Sequence, residues 1–158
     1  MEIDYILQVS TRKGLRNWLE KNCEIVDHCW VLTTRGQKLE KTIYYLDAVE
    51  EAMCFGWIDS TIKKVSETQL AQRLSPRQKK SQWSELNKER VRRLEYLNKM
   101  TDCGRKYLPD MSDNGFKIDP YILKKIKEDE EIYENFKNFP DIYKKVRLDT
   151  IQIKKKSK

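Results

Sequence analysis

The sequence predicts an α+β fold, in which a small antiparallel β element is packed by helices and the C-terminal third is helical. The run Cys29–Thr33 is rich in β-branched and aromatic residues, which is typical of a buried strand. Side chains that alternate along residues 70–75 predict the second arm of a hairpin over residues 61–75. Apolar residues at helical spacing outside these segments predict the helices. With 158 residues and 10% aromatic residues, the chain can bury one core.

Two helices are predicted in the first third of the chain. Residues 5–9 are expected to be extended, and Ser10 is expected to cap a helix that ends near Asn22. The second helix is expected to begin near Leu46 or Asp47, after the predicted strand and a polar loop. Gly56 is expected to end this helix, because glycine adopts the left-handed conformation at little cost.

A third helix is predicted after the hairpin, which Pro76 is expected to end. The helix is expected to begin near Ser81 or Ser84 and to end near Met100. One side of it carries the apolar residues Trp83, Leu86, Val91, Leu94 and Leu97. Asn87 and Arg90 project into the same apolar side, where an unpaired charge is costly. Arg90 is therefore expected to meet a carboxylate, a group of carbonyl oxygens or an anionic ligand.

The C-terminal third is predicted to consist of short helices with proline at their starts. Asp119 and Pro120 form a capping residue followed by a first-turn proline, and Pro140 is expected to open the last helix. The sequence therefore predicts a core over residues 1–108, a helical extension over residues 109–153 and a frayed basic tail over residues 154–158. The segment from Asp110 to Gly115 is the predicted hinge.

Positive charge is concentrated in one segment of the chain. The net charge of the whole chain is +7. Residues 73–106 hold eleven Lys and Arg against four Asp and Glu, and the five-residue tail adds four lysines. Such a segment attracts nucleic acid, phosphate groups or an acidic protein surface. The alternative interpretation is a solvated helix face that keeps the protein soluble.

Several classes of protein are disfavoured by the sequence. Neither GxGxxG nor GxxxxGK[ST] occurs, which excludes the two common phosphate loops. No uncharged apolar run approaches the roughly 18 residues of a membrane helix. The first four residues are acidic where a secretory signal would be basic. The chain is therefore expected to be soluble and cytoplasmic, with no insertion into a membrane.

The metal-ligating residue types do not form a recognisable site. The four cysteines include no CxxC pair, and the spacing of Cys23, His28 and Cys29 matches no common zinc module. With one histidine in the chain, nucleophilic catalysis of the Ser-His or Cys-His type would have to use His28, and no such motif flanks it. No metal and no cofactor are predicted, and the sequence identifies no catalytic residue.

Three strings in the middle of the chain carry a family resemblance. Residues 49–60 read VEEAMCFGWIDS, residues 73–77 read RLSPR, and residues 80–88 read KSQWSELNK. Together they resemble the YdeI/OmpD-associated family, also described as bacteriocin-protection proteins, over about residues 10–108. The family brings no established reaction and no catalytic residues. What the resemblance transfers is a set of motif positions as ligand-binding candidates: Glu51, Trp57, Asp59, Arg73, Arg77, Ser81, Trp83, Asn87 and Arg90.

The charges at these positions allow a physical prediction. Acidic groups and arginines around two tryptophans could form a concave polar site with aromatic walls. Asp59 follows a helix C-terminus, where the helix dipole disfavours negative charge, so Arg73 or Arg77 is expected to compensate it. Two readings stay open beside this internal pair: a pocket for an anion or peptide that shares the arginines, and an acid–base pair of Glu51 and Asp59.

The principal functional hypothesis is a cytoplasmic binding domain without catalytic activity, whose partner is a protein or an anionic ligand. The resemblance implies a role in envelope stress or bacteriocin tolerance. The first alternative is a small-molecule enzyme of unknown reaction with an Asp/Glu/Arg pocket between residues 51–59 and residues 73–90. The second alternative is weak, sequence-independent binding of nucleic acid by the basic segment.

Overall fold

The α+β prediction is confirmed by the computed structural model, which describes residues 2–37, 39–112 and 116–156. The chain forms two compact units. The first comprises Met1–Ser81 and Arg90–Leu108, and the second comprises Gln82–Glu89 and Pro109–Lys158. The first unit contains the sheet and the helices that pack on it, whereas helices alone make up the regular structure described in the second.

The sheet of the first unit has five strands and is mixed rather than purely antiparallel. Four of its strands lie side by side in the order β1 (Ile6–Leu7), β2 (Cys29–Thr34), β5 (Leu70–Pro76) and β4 (Trp57–Lys64). The pairs β2–β5 and β5–β4 are antiparallel, as predicted. The short strands β1 and β3 (Ile43–Tyr44) both pair with β2 in parallel, at different points along it. The sequence-based prediction of an antiparallel element therefore holds for the three longer strands.

The first two helices of the chain belong to the first unit. Helix α1 spans Arg12–Asn22 and α2 spans Tyr45–Cys54. Thr11, not the predicted Ser10, is the N-cap of α1, because its hydroxyl accepts a hydrogen bond from the backbone N–H of Gly14 at 3.0 Å. Leu15 and Leu19 of α1 are fully buried, and all of α2 from Ala48 to its end is buried.

A tight corner joins α2 to β4. Gly56 has φ +73°, as the sequence predicted, and a side chain there would collide with the ring of Tyr107. The hairpin that follows is longer than predicted, because β4 begins at Trp57 directly after this glycine. The pairing between β4 and β5 is irregular between Asp59 and Ile62, and Pro76 ends β5 as predicted.

Helix α3 is shorter than predicted, spanning Glu85–Tyr96. Asn98 adopts φ +53°, which turns the chain out of the helix before Met100. Leu86 and Leu97 are exposed, whereas Val91 and Leu94 are buried as predicted. The predicted apolar side is therefore correct only in its central part.

The short helix α4 (Asp102–Arg105) packs closely against the end of α2. The hydroxyl of Thr101 donates to the carbonyl of Cys54 at 2.6 Å, and a side chain at Gly104 would collide with the same carbonyl. Glycine is required at this position because the two backbones approach so closely.

The second unit contains α5 (Pro120–Lys127), α6 (Glu130–Asn138) and α7 (Asp141–Lys156). Asp119 caps α5 with Pro120 in the first turn, as predicted. The predicted frayed tail is wrong for residues 154–156, which continue α7. The predicted hinge includes residues 113–115, which lie outside the described residues. No helix in the described part of the chain is long and apolar enough to cross a membrane.

Candidate functional site

An open cavity of about 450 Å³ lies at the beginning of α2 in the first unit. Strand β2 ends at Thr34 and places Arg35 at one side of the cavity. The pairing of β3 with the end of β2 brings the first turn of α2 to the other side. The cavity is lined by Thr34, Arg35, Tyr44, Tyr45, Leu46 and Asp47.

A stacked pair of side chains forms part of this cavity. The guanidinium carbon of Arg35 lies 4.3 Å from the centre of the Tyr45 ring, within the range of a cation–π contact. Arg35 is exposed, and Tyr45 is half-buried. Tyr44 and Leu46 are also exposed large side chains, so the cavity combines one accessible cation with aromatic and apolar surface.

The hydroxyl of Tyr45 connects the cavity to strand β4. It donates a hydrogen bond of 2.6 Å to the Asp59 carboxylate. Burial and this hydrogen bond to Asp59 raise the pKa of Tyr45 above its usual value, although the charges of Arg35 and Arg90 oppose the shift. At neutral pH Tyr45 is therefore a protonated phenol that positions Asp59.

Asp59 is also close to the buried Arg77. Burial lowers the pKa of the Arg77 guanidinium, and the charge of Asp59 partly offsets this effect. Nη1 of Arg77 donates to the hydroxyl of Ser81 at 3.1 Å, and this hydroxyl donates to the carbonyl of Gln78. Three of the candidate positions, Asp59, Arg77 and Ser81, are thus brought into one neighbourhood.

Arg73 lies on the opposite face of the hairpin from Asp59. Asp59 is paired with Leu74, and neighbouring side chains on a strand point to opposite faces. Arg73 is paired with Trp30 of β2 and is half-buried. Of the two arginines expected to compensate Asp59, the structure therefore favours Arg77.

The remaining candidate residues on and before α3 belong to different units. Arg90 is half-buried in the first unit, where its charge acts on Tyr45. Asn87 and Trp83 are half-buried in the second unit. Arg90 was expected on the apolar side of α3 with a polar partner, and its side chain is half-buried.

Glu51 belongs to a separate cluster between α1 and α2. Its side chain is only 2% exposed, and its two oxygens accept hydrogen bonds from Arg12 at 2.5 Å and from Arg16 at 2.9 Å. Burial would lower the pKa of Arg12, but Glu51 and Glu50 together raise it above its usual value. Glu50 also pairs with Arg93. Because both oxygens of Glu51 are occupied by arginines, the geometry gives no support to an acid–base pair of Glu51 and Asp59.

Trp57 has a packing role in the same unit. It is 2% exposed, and its ring makes an edge-to-face contact with Trp18 at 6.0 Å between centroids. Its indole N–H donates to the carbonyl of Cys23 at 3.0 Å. The side chain is therefore committed to the interior rather than to the wall of a ligand site.

The metal-ligating residue types do not cluster in the described ranges, where no group of three or more His, Cys, Asp or Glu could hold a metal ion. Instead, His28 hydrogen-bonds through its two ring nitrogens to Asp27 at 2.7 Å and to Asp4 at 2.9 Å. Cys29 is a buried thiol of β2. His28 and Cys29 are thus accounted for by local packing and hydrogen bonding.

Residues 7–107 match the family model described as Domain of unknown function (DUF8412). The chain belongs to this family. Neither a curated protein nor a solved structure matches the chain. The DUF8412 region contains the cavity, the Tyr45–Asp59 hydrogen bond and the cluster around Glu51. The helices α5 to α7 lie beyond the matched residues.

Sequence reasoning did not identify the two residues that define the cavity of this DUF8412 protein, Arg35 and Tyr45. They are ten positions apart and meet only because β3 pairs in parallel with the end of β2. One local signal was present: Arg35 follows a buried strand directly, and the pair Tyr44-Tyr45 precedes a helix. Polar and aromatic residues at the ends of elements are common in binding sites.

Proposed function

We propose that this DUF8412 protein is a non-catalytic binding domain whose ligand carries a carboxylate or phosphate group together with a flat apolar part. The observation that carries the proposal is the exposed Arg35 guanidinium stacked on Tyr45 in the open cavity. Arginine presents a planar set of donors that suits a carboxylate or a phosphate. Stacking on Tyr45 fixes the plane of these donors before a ligand arrives, which lowers the entropic cost of binding.

The neighbouring charges support an anionic ligand. Asp47 lines the cavity, but its carboxylate is bound by Arg12 at 3.2 Å. Asp59 is bound by the Tyr45 hydroxyl and lies near Arg77. Both acidic groups are thus compensated by neighbours, whereas the Arg35 side chain extends into solvent. Tyr44 and Leu46 supply the exposed surface against which an apolar part of the ligand would pack.

The state of Tyr45 favours binding over catalysis. A tyrosine that acts as a base or nucleophile must lose its proton, and the raised pKa of Tyr45 keeps the proton on at neutral pH. Glu51, the other carboxylate considered for acid–base work, is held by two arginines. The enzyme hypothesis therefore has less support than the binding hypothesis.

The family resemblance supplies the cellular part of the proposal. The strings around Trp57, Arg77 and Trp83 resemble the YdeI/OmpD-associated family, which implies a role in envelope stress or bacteriocin tolerance. On this proposal, cells that lack the protein become more sensitive to a bacteriocin, and the Arg35→Ala variant fails to restore tolerance.

The binding step is tested with a small probe. Phenyl phosphate and benzoate are titrated into ¹⁵N-labelled protein and followed by two-dimensional NMR, with neutral benzamide as the uncharged comparison. We expect both anions to change the chemical shifts of amide groups in residues 34–47. Benzamide should change them less. Arg35→Ala should weaken binding about tenfold or more, because a charge-assisted hydrogen bond contributes roughly 1.5–3 kcal/mol.

Arg147→Ala is the matched control variant. Arg147 forms the same kind of contact, 5.1 Å above the ring of Tyr143, but belongs to the second unit and does not line the cavity. Its loss should leave the affinity for phenyl phosphate unchanged. Equal weakening by both variants, or equal binding of benzamide and the anions, would contradict the proposal.

A further inference from the structure

Two cysteines that the proposed binding site does not use face each other in the first unit. The thiol of Cys23 donates to the sulfur of Cys103, and the two sulfur atoms are 3.5 Å apart. Both residues are half-buried and both are free thiols. A disulfide has a sulfur–sulfur distance of about 2.05 Å, so the two atoms need to approach by only about 1.5 Å.

The backbone holds both cysteines in place. Cys23 is the C-cap of α1, and its own carbonyl accepts the indole hydrogen bond of Trp57 at 3.0 Å. Cys103 lies in α4, and its thiol also contacts the carbonyl of Phe55 at 3.5 Å. The pair therefore lies beside the corner between α2 and β4, which is formed by residues 55–57.

The other two cysteines have a different environment. Cys29 is 4% exposed, Cys54 is 0% exposed, and burial raises the pKa of each thiol, to about 12 and about 11. Both belong to the core, where a thiol behaves as a small apolar side chain. Among the free thiols, Cys23 and Cys103 combine partial exposure with a sulfur neighbour.

We propose that Cys23 and Cys103 form an oxidisable dithiol that closes to an intramolecular disulfide when a hydroperoxide is present. One thiol loses its proton, the thiolate attacks a peroxide oxygen and the O–O bond breaks. The sulfenic acid forms, and the departing hydroxide takes up the released proton to become water. The second cysteine attacks the sulfenic sulfur and displaces hydroxide, which leaves as water with the remaining proton. Two thiols and one hydrogen peroxide thus yield one disulfide and two waters.

The surroundings lower the acidity of the Cys103 thiol. Burial and the neighbouring Cys23 raise the pKa of Cys103 to about 12, and Glu24 acts in the same direction while Lys106 opposes it. Few Cys103 thiolates are therefore present at neutral pH. Lys106 and Glu24 form an ion pair at 2.7 Å beside the two cysteines. We expect the reaction to accelerate as the pH rises, because thiolate is the reactive form.

The disulfide would change the mechanics of the first unit. The two cysteines are 80 positions apart in the sequence, so the bond would close a loop that contains the whole sheet except β1. Cross-linking residues this far apart restricts the unfolded chain strongly. Oxidation should therefore raise the melting temperature by an amount on the order of 10 °C.

The experiment treats the folded full-length chain with hydrogen peroxide and analyses it by mass spectrometry without reduction. We expect a loss of two hydrogens, a linked peptide pair containing Cys23 and Cys103, and a higher melting temperature that dithiothreitol reverses. A chain that keeps both thiols, that links another cysteine pair, or that accumulates single sulfinic acids would overturn the proposal.

Single variants complete the test. Cys23→Ser and Cys103→Ser should each abolish both the linked peptide and the peroxide-dependent rise in melting temperature. Cys29→Ala, at a buried free cysteine of the core, should retain both. If the core variant does not fold, the linked peptide of the wild-type chain still decides between the outcomes. This proposal does not depend on the ligand proposed for the cavity.

Discussion

Helix α2 carries two charged regions that differ in how completely their groups are paired. Towards its C-terminal end, the buried Glu50 and Glu51 are held by Arg12, Arg16 and Arg93. At its beginning, the hydroxyl of Tyr45 donates one hydrogen bond to Asp59, and the exposed guanidinium of Arg35 stacks on the Tyr45 ring. The first region is closed by ion pairs, whereas the second opens into a cavity of about 450 Å³.

The difference arises from what faces each part of the helix. Arg12 and Arg16 are four residues apart on α1, so both point to the same side and reach the two oxygens of Glu51. The beginning of α2 is instead preceded by β3 and faces the end of β2, where Arg35 leaves the sheet. Charged groups that pair with one another stabilise the fold, and only those left accessible can bind a ligand.

The largest effect is expected from breaking the closed region. Glu51→Gln should destabilise the protein by roughly 3 kcal/mol, because it removes the negative charge opposite two partly buried guanidinium groups. Urea unfolding followed by circular dichroism measures this loss as a lower midpoint.

Glu20→Gln is the control for that prediction. Glu20 also pairs with Arg16, at 3.5 Å, but its side chain is 53% exposed. An exposed pair of this kind contributes less than about 1 kcal/mol. Similar losses from the two variants would contradict the assignment of Glu51 to a buried structural cluster.

A smaller effect is expected at the open region. Tyr45→Phe should destabilise the protein by about 1–2 kcal/mol, because it removes one end of a partly buried hydrogen bond to a carboxylate. Asp59→Ala should destabilise it by at least as much, because it also removes the negative charge near the buried Arg77. The double variant should lose less than the sum, with a coupling of about 1 kcal/mol from urea unfolding. Additive losses would mean that the hydrogen bond does not stabilise the folded chain.

The elements that sequence predicted well are those specified by local signals. Asp119 with Pro120, the glycine at position 56 and the proline at position 76 each act on the backbone of their own turn. Burial on and after α3 was predicted less well, since Leu86 and Leu97 are exposed although they were predicted to share a side with Val91. Helical periodicity identifies a face, but the elements that cover this face are set by the tertiary structure.

The candidate site shows the same limit more clearly. The motif residues Asp59, Arg77 and Ser81 do lie in one neighbourhood, which the strings in the sequence indicated. Glu51 and Trp57 belong to the interior instead, because long-range partners from α1 and the loop after it occupy them. The contact between Arg35 and Tyr45 depends on the pairing of a two-residue strand, for which no reliable sequence signal exists.

The pKa of Tyr45 gives a pH-dependent test of the open region. Because its pKa is raised in the folded state, its contribution to stability is complete below the ordinary tyrosine value of 10.0 and declines as the pH rises through the folded value. The stability difference between the wild type and Tyr45→Phe should therefore be constant below about pH 10 and shrink as the pH rises above it. Urea midpoints at several pH values measure it, with Tyr96→Phe as the control at an 85% exposed tyrosine. A difference that grows with pH would contradict the assigned environment of Tyr45.

The smallest effect is expected for the binding of nucleic acid to the basic segment 73–106. This binding tests whether the cations of the segment are paired within the fold or accessible to a ligand. Within this segment Lys79 and Lys80 are exposed, whereas the side chain of Lys88 is 14% exposed and pairs with Glu85 at 3.0 Å. Two phosphate contacts give a slope of log affinity against log salt of about −1.8 on duplex DNA.

Gel shifts at two salt concentrations should therefore detect only weak binding that disappears at physiological salt. The double variant Lys79→Ala/Lys80→Ala should remove it, and Lys13→Ala/Lys64→Ala, at two exposed lysines outside the segment, should not. Tight binding at physiological salt would mean that the cations of the basic segment are accessible to a ligand. It would overturn the preference for a small anionic ligand.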